Sequence, residues 1–200
     1  MTDFIDRREA IRRVSVLLGG TALVAESALW AACERRPGPG GPYAAVGAFT
    51  PSDVELLDEI AETILPETTT PGAKAAGVGP FMALMVTDCY EADDQAIFRR
   101  GLTEVDDASR AESGAAFLAA TPSARLALLQ GLDWEQKRYM DAKPTAAPRH
   151  YFRMMKELAL LGYFTSEIGC TRAQRYVETP ARYEPCVPYV AGGPAWAPHG

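Results

Sequence analysis

The stretch from His150 to Arg175 reads HYFRMMKELALLGYFTSEIGCTRAQR, and its pattern decides the fold. Between Tyr151 and Ile168 nearly every position is apolar, aromatic or small. Arg153, Lys156 and Glu157 interrupt the first half, and at 3.6 residues per turn they share one narrow side. Tyr151, Met155 and Leu158 mark one apolar ridge; Phe152, Ala159 and Tyr163 mark another. A helix apolar nearly all round is buried on several sides, so the spacing predicts a central core helix. Periodicity alone leaves open whether part of that surface is kept for a partner protein.

The chain around it has 200 residues, enough for one domain and a targeting segment. Apolar residues make up 48% and charged residues 23%, the balance of a folded globular protein. The net charge is -6. The first 33 residues hold four of the 20 basic and four of the 26 acidic side chains, so the excess of acid sits in the body. An acidic body without a basic run argues against nucleic acid and against an anionic membrane surface as ligands.

Arg7 and Arg8 precede Val14 to Ala25, a mildly apolar run. A positive start, an apolar middle and small residues near the end are the layout of an export signal. Paired arginines before a weakly apolar stretch resemble the twin-arginine signal, roughly S/T-R-R-x-F-L-K, with Ile11 near the apolar pair and Arg12 at the basic position. Asp6 and Ala10 depart from that pattern. Leu29-Trp30-Ala31-Ala32-Cys33 resembles a lipoprotein box, with Cys33 as the candidate for lipidation and Trp30 as a poor fit. The Pro/Gly-rich run after Cys33 reads as a flexible tether. The expected location is therefore periplasmic, by the twin-arginine route, with Cys33 as the candidate membrane anchor.

Downstream, Thr50-Pro51-Ser52-Asp53 carries a cap, a first-turn proline and an acid at the positive end of a helix. Leu57, Ile60, Ala61 and Ile64 recur at helical spacing, with Asp58, Glu59 and Glu62 among the polar positions, and Pro66 ends the run. A second helix is expected from Pro80, with Phe81, Leu84, Met85 and Tyr90 apolar. A third spans Asp93 to Arg110, with Ile97, Gly101 or Leu102, and Val105 inward. Thr121-Pro122-Ser123 opens a fourth running to about Met140, with Leu126, Leu129, Leu132 and Tyr139 apolar. Lys143 to Pro148 is a linker to the central helix, and Thr171 to Tyr176 is a candidate last short helix. Five prolines after Thr179 make the end an extended tail. The expected architecture is all-α: one compact domain of about five to seven helices at 50–178, behind a signal at 1–33 and a tether at 34–49, and followed by a tail at 179–200.

The chemical inventory is sparse. The histidines are His150 and His199, so a metal site would lean on carboxylates. No c-type haem motif, dinucleotide fingerprint, phosphate loop or nucleophile elbow occurs. Glu67, Asp88, Glu91 and Asp94 are available acids, but no spacing pairs them. Cys89, Cys170 and Cys186 remain after the signal. In an oxidising compartment two can pair and one is left over. Burial as a small apolar residue is the first reading for Cys89 and Cys170, whereas Cys186, flanked by Pro185 and Pro188, is well placed to present its sulfur outward.

Three blocks then form one pattern: LLDEIAETILP at 56–66, TPGAKAAGV at 70–78, and Lys156-Glu157-Leu158 continuing to LGYFTSEIG at 161–169. With the arginine signal ahead and Tyr183 to Pro188 behind, the chain resembles the small subunit of gluconate 2-dehydrogenase, subunit 3. The resemblance implies an accessory role. The large subunit of such complexes is a flavoprotein that oxidises sugars, sugar acids or polyols. A multihaem cytochrome subunit passes the electrons on, and the small subunit carries the export signal. FAD and haem c would thus belong to partner chains, and this chain would not be catalytic by itself. Arg7 and Arg8 would serve export through the twin-arginine machinery. Tyr163, Phe164, Glu167 and Cys186 are the contact candidates, Cys186 also for an inter-chain disulfide. The competing reading is a stand-alone exported helical lipoprotein that binds a small ligand, or acts as an enzyme, through Glu67 and Thr68-Thr69-Thr70.

Overall fold

A computed structural model describes residues 43–179, 186 and 188–197, all within the unit Gly41–Gly200. Arg7, Arg8, Cys33 and the tether up to residue 42 lie outside the described residues. Five α-helices form the domain: α1 (Pro51–Ile64), α2 (Val78–Cys89), α3 (Ala92–Ser113), α4 (Pro122–Ala142) and α5 (Tyr151–Thr165). A 3-10 turn (Phe117–Ala119) joins α3 to α4, and a π-helical turn (Gly169–Ala173) follows α5. Among the described residues, β pairing is confined to two isolated bridges, Val46 with Phe49 and Arg175 with Trp196. The fold is all-α.

The helix starts follow their caps. Thr50 and Asp53 form a reciprocal capping box: the Asp53 amide donates to Thr50 Oγ1 at 3.2 Å, and the Thr50 amide donates to Asp53 Oδ2 at 2.8 Å. Thr121 Oγ1 accepts the Ala124 amide at the start of α4. His150 Nδ1 accepts the Phe152 amide at 3.2 Å and so caps α5, a role the sequence pattern did not suggest.

The central helix is where the periodicity places it. α5 packs against each of the other four α-helices. Phe152, Met154, Met155, Leu158, Ala159, Gly162 and Tyr163 are buried, while Arg153 on the predicted polar side is exposed. The same core holds Val54, Leu57, Ile60, Met82, Val86, Phe98, Val105 and Phe117.

Other registers differ from expectation. α2 begins at Val78, two residues ahead of Pro80, because Gly77 (φ 67°) turns the chain and Pro80 falls in the first turn, where an amide has no helical acceptor. Its buried face is Val78, Gly79, Met82, Ala83 and Val86; Leu84 is exposed, and Phe81, Met85 and Tyr90 are half-buried. A nearly all-apolar segment gives periodicity no phase to read. In α4, Leu128, Leu129, Leu132 and Gln136 face inward, leaving Leu126 and Tyr139 exposed. In α3, Phe98 joins Gly101, Leu102 and Val105 inside, and Ile97 is half-buried. The expected last short helix at 171–176 is instead a π turn that starts earlier, at Gly169, and ends at Ala173, because the chain extends at Gln174. Residues 188–197 are non-helical and come back to Arg175.

Candidate partner-binding surface

Three acids on one helix organise the end of the domain beside the α1–α2 loop. Asp58 is 4% exposed, although it reads as a polar position in sequence. Its Oδ1 accepts the Gly79 amide at 3.0 Å, and its Oδ2 accepts the Tyr43 hydroxyl at 2.7 Å. The N-cap of α2, Gly77, has no side chain to offer, so a carboxylate from α1 caps that helix from a distance. Burial pushes the Asp58 carboxyl above the ordinary carboxylate range, against the opposing pull of its hydrogen bonds from Tyr43 and Gly79. Tyr43 is held above the usual phenol range, by burial first and by its bond to Asp58 second.

Glu62, one turn later, accepts the Glu67 amide at 2.9 Å and the Lys74 amide at 2.8 Å, so one carboxylate spans both limbs of the loop. Glu59 pairs with Lys74 and with Arg125 of α4. Arg125 also donates from Nε to the Phe117 carbonyl at 2.8 Å and from Nη2 to the Leu118 carbonyl. Its guanidinium lies over the Phe117 ring, 5.7 Å from the centroid. From the other side, the Tyr163 hydroxyl of α5 donates to the Pro71 carbonyl at 2.7 Å. The loop at 66–77 is thus tied to α1 and α5 by side chains reaching its backbone or its lysine, and α4 joins it through the Glu59 that Arg125 and Lys74 share.

The expected site residues divide around this loop. Tyr163 is 4% exposed, and its ring meets Phe164 edge-on, so within the chain it braces the loop from inside the core. Phe164 is half-buried against the core, and Glu167 is exposed. Cys186 is exposed and lies apart from this loop in sequence. Cys89 is exposed too, contrary to the buried reading, because it ends α2 on the outer side; Cys170 is half-buried with its thiol towards the Phe164 carbonyl. These three cysteines are free thiols. Asp94 pairs with Arg149, while Glu67, Asp88 and Glu91 are exposed. Among the described residues, no group of three or more His, Cys, Asp or Glu side chains is gathered as a metal site.

Two open grooves of about 520 Å³ each flank the bundle, one beside Phe49, Asp53, Arg99 and Arg110, the other beside Ile64, Leu126, Trp134 and Phe152. Neither is lined by Glu67 or by Thr68 to Thr70. Asp58 and Glu62 read in sequence only as polar helix positions and Arg125 belongs to no motif, yet they hold the surface together. For Asp58 the signal was present: it lies four residues after Val54 and three before Ala61, both buried.

The loop, its acids and its tyrosine come from the blocks at 56–66 and 70–78 and from the block at 156–169, which lies far from them in sequence. A family model described as gluconate 2-dehydrogenase subunit 3 matches residues 51–180. The chain belongs to the gluconate 2-dehydrogenase subunit 3 family. No curated protein and no solved structure matches it. The subunit 3 match begins at the first residue of α1 and ends just beyond the π turn, so it takes in the whole helical bundle. The family is described by its name as a subunit of a dehydrogenase.

Proposed function

We propose that this chain is a non-catalytic small subunit of a periplasmic flavin-dependent dehydrogenase complex acting on a sugar, sugar acid or polyol. Its role in this reading is to accompany the flavin-binding large subunit through the twin-arginine route and to stabilise it. The observation that carries the reading is the convergence of the three family blocks on one braced loop. Their polar groups are spent on the loop's own backbone and on ion pairs, and what is left outward is contact surface: Thr68, Thr69, Glu67 and, on the neighbouring turn, Glu167. A surface held by buried hydrogen bonds and ion pairs is pre-organised for docking, which lowers the ordering cost of association.

In this reading FAD sits in the large subunit and haem c in a cytochrome subunit. Arg7 and Arg8 direct export, Cys33 is the candidate lipid anchor, and Cys186 is the candidate for an inter-chain disulfide. Replacing both Arg7 and Arg8 by Lys is expected to leave this chain and the flavin subunit in the cytoplasm together. Normal export of the flavin subunit beside the retained variant would refute the carrier role. Capture of the chain from native membranes is expected to bring down a flavin-containing protein; a stable monomer without one would favour the stand-alone reading.

A further inference from the structure

The residue that starts the central helix is an uncommon choice. The preferred N-caps are Ser, Thr, Asp and Asn, and none of them ordinarily changes charge between about pH 5 and pH 8. α1 and α4 follow that preference with Thr50 and Thr121. α5 takes His150 instead, whose Nδ1 accepts the Phe152 amide at 3.2 Å. Only a neutral imidazole has a ring nitrogen free to accept, so the capping form carries its one ring proton on Nε2. A cation in the same place has no acceptor to offer and meets the positive end of the helix dipole.

The other ring nitrogen faces a second partner. Nε2 lies 3.8 Å from Glu135 Oε1 of α4, within ion-pair range and about 1 Å beyond hydrogen-bond length. The His150 side chain is 10% exposed. Its ring stacks on Tyr151 at 4.6 Å and is met edge-on by Tyr139 of α4 at 5.6 Å, so the imidazole is held between two aromatic rings with both partners in reach. The charged groups around it are Arg149 beside it in the chain, Glu135 of α4, and Glu104 of α3, whose charge reaches Tyr151. Arg149 is paired with Asp94 of α3 and Glu157 of α5, and Glu104 with Arg100. Among the described residues, Glu135 has no lysine or arginine partner.

We infer that His150 is a pH-driven partner switch at the entry to the central helix, capping α5 through Nδ1 when neutral and pairing with Glu135 of α4 through Nε2–H when protonated. The proton comes from solvent and binds Nδ1, and the Phe152 amide is released in the same step. An N-cap and a partly exposed ion pair are comparable in strength, so exchanging one for the other is a local event that leaves the bundle folded. The first turn of α5 loosens, while the linker ahead of it stays tied to α4 by the Tyr139 hydroxyl on the Pro148 carbonyl at 3.0 Å. A histidine whose protonation trades one partner for another, at the junction of two elements, is the general form of a pH sensor.

The test is nuclear magnetic resonance of the full chain between about pH 8 and about pH 5, the range over which histidine changes charge. The ring nitrogens of His150 are assigned by their loss in His150→Asn, because His199 is the only other histidine. At the upper end the ring proton is expected on Nε2. Protection of the Phe152 amide, corrected for intrinsic exchange, is expected to fall roughly fivefold or more as the ring protonates, the effect of losing one N-cap. His150→Asn installs a cap that does not titrate and is expected to hold that protection level across the range. Glu135→Gln removes the acid-side partner and is expected to move ring protonation and the loss of protection together to lower pH. A ring proton on Nδ1 at the upper end overturns the inference. So does Phe152 protection that stays level while the ring protonates, or that falls equally in the Asn variant. A Glu135→Gln titration that matches wild type removes the second partner and overturns the switch.

Discussion

Asp58 Oδ1 accepts the Gly79 amide at 3.0 Å, and the backbone of Asp58 lies so close to Gly79 that no side chain fits between them. A Cβ added at Gly79 would come within 2.6–2.7 Å of Asp58 Cβ, Cα and N. One contact thus caps α2, fixes the approach of α1 to α2 and buries an acid. Gly79→Ala is expected to destabilise the domain by about 1–3 kcal/mol, the usual cost of overpacking against groups that cannot move aside. Urea unfolding followed by circular dichroism measures it; a change near zero would mean that the two helices slide apart freely.

The same acid gives a pH signature. Burial raises the folded pKa of Asp58 above its unfolded value, so the folded chain binds this proton more tightly. Its contribution to stability is fully present below the unfolded pKa, about 3.9, and declines as pH rises through the raised folded value. Asp58→Asn removes that dependence. The stability of the Asn variant relative to wild type is expected to improve from about pH 4 towards about pH 7. Equilibrium unfolding of both proteins across that range decides it, and a flat difference would contradict the raised pKa. Asp58→Ala also leaves the Gly79 amide without its acceptor and is expected to cost about 1–3 kcal/mol near pH 4, with the cost shrinking as pH rises, as for Asp58→Asn.

Arg125 and Glu59 form a largely covered pair that joins α4 to α1, with the Phe117 and Leu118 carbonyls completing the arginine's partners. Arg125→Ala is expected to cost about 2–4 kcal/mol, because Glu59 keeps its charge and only Lys74 remains to it. Arg125→Met with Glu59→Met is expected to recover most of that loss. A double-mutant cycle by thermal unfolding reads the coupling; strict additivity of the two single changes would show that the pair is not coupled.

Tyr163 separates bracing from packing. Tyr163→Phe keeps the ring in the core and loses only the bond to the Pro71 carbonyl, for about 1 kcal/mol. Tyr163→Ala also empties the ring's site and is expected to cost about 3–5 kcal/mol. Amide exchange is expected to rise first in residues 66–77 of the Phe variant. If exchange there stays at the wild-type rate, the hydroxyl does not brace the loop.

By itself the sequence determined the fold class, the approximate number of helices and the central place of α5. It did so because caps, prolines and a helix apolar nearly all round are local signals, written within a few residues of the structure they specify. Thr50, Thr121 and the Tyr151–Thr165 helix were legible in this way, and so was the family, since its three blocks are contiguous strings. Only the tertiary structure decided the phase of α2 and α4. Val78-Gly79-Pro80-Phe81-Met82-Ala83-Leu84-Met85-Val86 is apolar on every side, so neighbouring helices select its inward face. Only the tertiary structure showed that Asp58 is a buried cap, that Glu62 spans a loop and that Arg175 clasps a strand about twenty residues away. Those roles depend on which backbone amide or carbonyl lies within reach of a side chain. A sequence records the donors and acceptors, but packing sets the distances.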